Sequence, residues 1–395
     1  MDKDLRKMVS RKQIIKPVKR AVIKVGSGVL TVKNGLNLKV IEGLAEDISD
    51  LKKMGIEIIL VSSGAIASGL KKIGMKKRPD SISQQQAAAA VGQSSLMMTY
   101  EKAFHRHGQK IAQILITRDD LNHRGRYLNA RNTLFTLLSW DIIPVINEND
   151  TVVVDEIKFG DNDNLSAMVT NLTESQILVN LTDIDGLFDK DPRNDKNACL
   201  IPVVEKVTRG IMSYAGNIPG FLGTGGMGSK IRAARKVALC GVPTIIANGH
   251  KKAVLKNIFM GSEEGTLFLP QDTALCSRKH WIAFARSVRG EIIIDQGAET
   301  ALLRHGKSLL PSGIKGAKGR FSMGDSVLLM NDNKQELAVG MTNYNSGDIK
   351  KIMGLKSNEI ESRLGFKHDN EVIHRDNLVI TYDMEEGDGE CQLRI

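Results

Sequence analysis

The run Gly223-Thr224-Gly225-Gly226-Met227-Gly228-Ser229-Lys230 leads into a segment of helical periodicity around Ile231–Leu239. Backbone N–H groups freed by glycine geometry, a helix N-terminus and an ammonium at its start together form a cradle for phosphate. A Walker A loop is excluded, because that pattern needs Gly-Lys-Ser/Thr where this chain has Gly228-Ser229-Lys230. A glycine turn of purely structural use is the alternative. A second cation, Lys24, stands inside the apolar run Ala21–Val25, just before Gly26-Ser27-Gly28. Burying an ammonium without a partner is costly, so an anion is expected to meet it unless the lysine snorkels from an edge strand.

Carboxylates and carboxamides crowd two neighbouring stretches, Asn147-Glu148-Asn149-Asp150 and Gly160-Asp161-Asn162-Asp163-Asn164. The first directly follows a strand candidate, and open α/β sheets bind ligands at the carboxyl ends of their strands. Ordinary Asx-rich turns are the competing reading, and the spacing does not match a calcium loop. Val61-Ser62-Ser63-Gly64-Ala65 and Leu181-Thr182-Asp183-Ile184-Asp185 also close strand candidates. The first offers hydroxyls and N–H groups to an anion, although Ser63 could be simply a helix N-cap. No histidine pair has the spacing of a metal site; His105 and His107 are two apart, not one helical turn.

The elements that must position these groups alternate. Ala21–Val25 reads as a strand, Ile41, Leu44, Ile48 and Leu51 mark a helix that Gly55 ends, and Ile58–Val61 is the next strand. Helices around Ala87–Ala90 and Asn129–Leu138 then separate strands at Ile111–Ile116, Ile142–Ile146, Ile177–Leu181 and Thr244–Ile246. Such alternation predicts an α/β domain whose mainly parallel sheet is sandwiched by helices. It fades after about Gly265. Short β-like runs follow at Glu291–Ile294, Val327–Met330 and Glu336–Val339, predicting a small, mostly β C-terminal domain. The expected division is a basic arm over 1–17, the first domain over 18–270, the second over 280–380 and an acidic tail over 381–395.

With 395 residues the chain is long enough for two cores. Its 55 Lys+Arg against 45 Asp+Glu give +10, which suits an anionic partner without selecting one. Four scattered cysteines without a CxxC pair argue against a zinc ribbon or disulfide framework, and no segment approaches the roughly 20 apolar residues of a membrane helix. A cytoplasmic protein with free thiols and no membrane partner is the expectation.

Taken in order, Lys24–Gly28, Ser62–Ala65, Asn147–Asp150, Gly160–Asn164, Thr182-Asp183 and Gly223–Lys230 resemble the amino acid kinase family, from about residue 20 onward. The stretches Leu309–Ile314 and Phe321–Asp325 look like a PUA domain, a module otherwise common in RNA-modifying enzymes. The resemblance is strongest to members that act on the γ-carboxylate of L-glutamate. It implies an ATP-dependent kinase, with Lys24 and Lys230 contacting the transferring phosphoryl group and Asp163 holding both lysines. Ser63, Asp150 and Asn162 would bind glutamate. Lys24, Thr182, Asp183, Thr224, Gly225, Gly226, Met227, Gly228, Ser229 and Lys230 would bind ATP, with Mg2+ arriving on its phosphates. It also implies feedback inhibition by proline, a partner reductase, glutamate-5-semialdehyde dehydrogenase, that consumes the glutamyl phosphate, and a homo-oligomer. Ser229 stands where the family commonly has Thr, which keeps the hydroxyl. Two rivals are a related kinase acting on aspartate, acetylglutamate, carbamate or a nucleoside monophosphate, and an RNA-binding or RNA-modifying protein whose basic arm carries Arg11, Lys12, Lys16, Lys19 and Arg20; the phosphate-type loops at strand ends weigh against RNA.

Overall fold

The computed structural model describes residues 10–32, 35–75, 77–152, 162–214, 226–271 and 288–381. Thr224, Gly225, the Gly160-Asp161 pair and residues 382–395 of the acidic tail lie outside these residues. The chain divides into two compact units, Met1–Ala274 and Leu275–Ile395.

In the first unit the strands are β1 (Arg20–Val25), β2 (Thr31–Val32), β3 (Gly35–Leu36), β4 (Glu57–Val61), β5 (Ile111–Ile116), β6 (Ile143–Glu148), β7 (Ile177–Thr182), β8 (Val203–Val204), β9 (Thr244–Asn248) and β10 (Thr266–Phe268). Eight of them form one sheet in the order β5-β6-β4-β1-β7-β9-β10-β8, and β2 pairs with β3 in a separate hairpin. From β5 to β9 every neighbour is parallel; β10 runs antiparallel to β9. The predicted mainly parallel sheet is therefore present, with a reversed edge that the alternation of elements did not signal.

Strand β1 lies between β4 and β7, and Val22, Ile23 and Val25 are fully buried. A strand covered on both faces needs the continuous β-branched run that this sequence supplies. The Leu38–Lys53 helix turns Ile41, Leu44, Ile48 and Leu51 into the same core. It starts at Asn37, whose side chain accepts from the Val40 N–H, and stops before Gly55, whose φ of +83° few other residues adopt.

Two helices after β4 approach unusually closely. Ala65–Lys72 and Ile82–His105 meet at Gly69 and Gly92; a Cβ on Gly69 would lie 1.7 Å from the Ala88 carbonyl oxygen, and one on Gly92 would lie 1.8 Å from that of Ala65. Only glycine fits at that crossing.

The described residues preceding β1, from residue 10 onward, are bound to this unit. Arg11 is buried in the short Arg11–Ile15 helix and donates to the backbone carbonyls of Pro202, Ser262, Glu264 and Gly265 at 2.5–3.3 Å. Arg20 in turn pairs with Glu57, donates to the Thr173 carbonyl and lies over the Phe135 ring. Two of the five cations on which an RNA surface would rest are thus committed internally.

The second unit is a five-stranded sheet in the order β12-β11-β13-β14-β15, from β11 (Val288–Ile294), β12 (Ile314–Gly319), β13 (Ser326–Met330), β14 (Glu336–Met341) and β15 (Leu378–Ile380). Its core gathers Ile292, Ile294, Val327, Leu329 and Tyr344. The β reading holds, with three α-helices added among the described residues, the longest of them being Gln296–His305, which Asp295 caps by accepting from the Ala298 N–H.

Candidate active site

The groups singled out by residue type converge at the carboxyl ends of β1, β4, β6 and β7. Lys24 comes from β1, a central strand, so the edge-strand alternative fails; it is only 4% exposed. Asn162 and Asp163 begin the Asn162–Leu172 helix, where loop residues were expected. Lys230 lies in the first turn of the Met227–Ala238 helix, so the described part of the glycine-rich run is Gly226 at the N-cap followed by helix. Met227, Gly228 and Ser229 share that turn, and its N–H groups carry the partial positive charge that suits a phosphate.

Asp163 is the hub, 1% exposed. Lys24 Nζ and Asn180 Nδ2 donate to Oδ1, the latter at 3.1 Å; Ser229 Oγ donates to Oδ2 at 2.5 Å, and Lys230 Nζ reaches the same oxygen at 3.4 Å. Burial alone would push this carboxyl up, but Lys24 and Lys230 outweigh it and hold it well below the usual carboxylate range. The two lysines, 206 positions apart in the chain, are thereby fixed on one carboxylate with their charges beside one another. Such an arrangement is stable only while the anion is present, and it offers concentrated positive charge to a phosphoryl group arriving alongside.

Beside the hub lies a second polar cluster. Asn162 Nδ2 donates to the Ser62 carbonyl (3.0 Å), Ser63 Oγ (3.0 Å) and Asn147 Oδ1 (3.1 Å). Ser63 is therefore not the cap of the following helix; that position belongs to Gly64 with φ of +94°. Asn147 Oδ1 also accepts from the Glu148 N–H, and Asn147 Nδ2 donates to Gln93 Oε1 at 2.8 Å. Ser62 Oγ shares a hydrogen bond of 2.9 Å with the Tyr100 hydroxyl. The Asn162 carbonyl oxygen is buried and, among the described residues, has no hydrogen-bond partner. Asp150 closes the same β6 end; burial pushes its carboxyl up to about 6, with Arg78 pulling in the opposite direction. A carboxyl poised there ionises readily once a cationic group arrives.

Thr182 and Asp183 end β7, with Thr182 Oγ1 donating to Asp183 Oδ1 at 3.0 Å. A Cβ on Gly28 would touch Asp183 at 3.4 Å, which places the turn after β1 against this pair. Among the described residues no three His, Cys, Asp or Glu side chains form a metal ligand set, and Asp163 is already engaged by four donors.

Asn180, Gln93 and Tyr100 escaped the sequence reading. Asn180 carried a usable signal, a lone amide inside the apolar strand Ile177–Leu181, of the same kind that exposed Lys24. Gln93 and Tyr100 lie seven positions apart on one helix face, with nothing local to mark them as polar partners of distant strand ends.

Comparison with known proteins agrees with this geometry. Residues 19–248 match the Amino acid kinase family, and residues 290–364 match the PUA domain. The chain is 53% identical over 371 residues to glutamate 5-kinase of Geobacter sulfurreducens, covering 94% of this chain and 100% of that protein. It is 51% identical over 371 residues to glutamate 5-kinase of Syntrophus aciditrophicus (94% and 96% covered). With glutamate 5-kinase of Caldanaerobacter subterraneus subsp. tengcongensis it shares 49% identity over 362 residues (91% and 97%). A phosphate-suited helix N-terminus, two lysines on one buried aspartate and end-to-end similarity to such relatives lead to one conclusion: the chain belongs to the amino acid kinase family and carries a PUA domain after the kinase fold.

Proposed function

We propose that this chain transfers the γ-phosphoryl group of ATP to the γ-carboxylate of L-glutamate, forming L-glutamyl 5-phosphate at the entry to proline biosynthesis. The observation that carries this reading is the joint fixation of Lys24 and Lys230 by Asp163, next to the Ser63–Asn162 amide cluster. Relatives named glutamate 5-kinase at about half identity, matched over nearly their whole length, give it the acceptor.

A glutamate side chain has a pKa of about 4.3 and is ionised at neutral pH, so attack on phosphorus needs no general base. The obstacle is electrostatic: an anion approaches a polyanion, and charge spreads over the equatorial phosphoryl oxygens during transfer. Lys24 and Lys230 meet that charge in a site with little water, where fixed cations act most strongly. Asp163 holds both ammonium groups in place and aimed. Ser63, Asp150 and Asn162 hold the amino acid, and Asp150 at its raised pKa pairs with the α-ammonium. Thr182, Asp183 and the run Thr224–Lys230 bind ATP, and magnesium on the phosphates adds further neutralisation.

The acyl phosphate is a reactive mixed anhydride, which a reductase, glutamate-5-semialdehyde dehydrogenase, takes onward. Feedback by proline, assembly into a homo-oligomer and a cytoplasmic location complete the reading. No helix among the described residues is long and apolar enough to cross a membrane. Purified protein with ATP, magnesium, glutamate and hydroxylamine should yield glutamyl hydroxamate, with aspartate and acetylglutamate as controls. Equal or better yield from a control acid would refute the glutamate assignment.

A further inference from the structure

We infer that Gln93 is a positioning residue that commits the carbonyl oxygen of Asn162 to the α-ammonium of the amino-acid substrate, an inference that rests on the glutamate reading above.

The argument follows the polarity of the hydrogen bonds. An amide side chain has one donor end and one acceptor end, and a partner of fixed polarity decides which way it points. Two backbone groups supply that polarity here. The Glu148 N–H can only donate, so the Asn147 atom it meets at 2.9 Å is the oxygen. The Ser62 carbonyl can only accept, so the Asn162 atom it meets at 3.0 Å is the nitrogen. Asn147 Oδ1 then also receives Asn162 Nδ2, and the remaining end of Asn147, its NH2, must find an acceptor. Gln93 Oε1 is that acceptor, at 2.8 Å. Asn147 is 2% exposed, so without Gln93 its NH2 is left unsatisfied and the side chain loses the contact that seats its oxygen against Asn162 Nδ2.

The far end of this relay is the Asn162 oxygen. Its nitrogen serves three acceptors, while the oxygen is buried without a donor among the described residues. A buried acceptor held open in this way suits a ligand N–H group, and in a site for an amino acid that group is the α-ammonium. The helix carrying Gln93 is held at this height by two further contacts, the Gly69–Gly92 crossing and the Tyr100–Ser62 hydrogen bond. Gln93 therefore has little freedom to serve Asn147 from another position.

The test compares glutamate with glutarate, which lacks only the α-amino group, in wild type, Gln93→Met and Gln93→Glu. Sites built to hydrogen-bond a substrate NH discriminate strongly against analogues lacking it, so wild type should favour glutamate in kcat/KM by about a hundredfold or more. Gln93→Met should lower that ratio by about tenfold or more, mainly through the KM for glutamate, with the KM for ATP unchanged. Gln93→Glu retains an acceptor oxygen and should keep the ratio. A thermal melt on each variant separates this effect from loss of fold. If wild type is inactive on glutamate, the functional reading itself falls. If wild type is active but Gln93→Met slows both substrates in proportion, or Gln93→Glu loses the ratio as Gln93→Met does, the positioning role alone is overturned.

Discussion

Lys24 and Asn180 occupy the same register position on the adjacent parallel strands β1 and β7, and both donate to one oxygen of Asp163. The strand pairing itself therefore sets the spacing of a cation and an amide around the buried carboxylate. Asn180 is fully buried, and its own carbonyl oxygen has no partner among the described residues. Replacing Asn180 with an apolar group of similar shape removes that unpaired atom and also one of the four donors to Asp163, two effects of opposite sign that offset. Asn180→Leu should thus melt at about the same temperature as wild type, while kcat falls by about tenfold or less, because Lys24, Ser229 and Lys230 still hold Asp163. Calorimetry and steady-state kinetics on the same preparation check both halves.

Removing either lysine should act on chemistry first. Lys24→Met and Lys230→Met should each lower kcat by about a hundred- to a thousandfold, by analogy with loss of one preorganised donor to a developing charge. The fold should lose less than the roughly 3–5 kcal/mol of a fully orphaned buried ion, since Asp163 keeps three other donors in each case. Denaturant titration beside single-turnover kinetics separates the two effects.

Asp163→Asn poses the opposite problem, two buried ammonium groups with no anion between them. It should destabilise the free protein by about 3–5 kcal/mol. ATP brings its own negative charge to the same place, so the variant should gain more thermal stability from nucleotide than wild type does. The pH dependence has a definite sign: a carboxyl held below its usual range contributes stability above pH about 4, lost as acid protonates it. Acid unfolding of Asp163→Asn should accordingly be shallower than that of wild type.

For Asp150 the sign is reversed. Its carboxyl titrates near 6 in the folded chain, above its ordinary value, so ionisation costs stability that is regained as pH falls through that point. Glutamate binding needs the ionised form, so kcat/KM for glutamate should drop below pH about 6, approaching tenfold per unit. Asp150→Asn should lie lower at pH 8 and lack that acid limb, and it should melt higher than wild type above pH 6. A full pH–rate profile for both proteins decides the matter.

Gly92→Ala would drive a methyl into the Ala65 carbonyl, whose oxygen would lie 1.8 Å from the new Cβ. The helices must separate, at a cost of about 1–3 kcal/mol or more. Because Ala65 directly follows Ser62-Ser63-Gly64, the KM for glutamate should rise while that for ATP stays near wild type. Gly43→Ala is the control, since a Cβ there meets nothing within 4 Å.

Alternation of strands and helices predicted the parallel sheet, because each strand buried on both faces must be written in β-branched residues. Lys24 stood out for the same reason: an ammonium in such a strand has no bland neighbourhood. Asn180 was equally visible but is uncharged, and an amide in a strand is a weaker anomaly. The Gln93 relay was not readable at all, since it links residues 54 apart through helix packing that no local pattern encodes. The reversal at β10 was hidden too, because three residues of pairing leave no period to detect.

The position of Arg11 matters to anyone producing the protein. Similarity to the family begins at residue 19, so trimming the gene to that boundary would discard a guanidinium that ties together carbonyls at Pro202 and at Ser262–Gly265. A shortened version that aggregates or loses yield would then report a missing internal strut, not a defect of catalysis, and affinity tags are better kept clear of that turn.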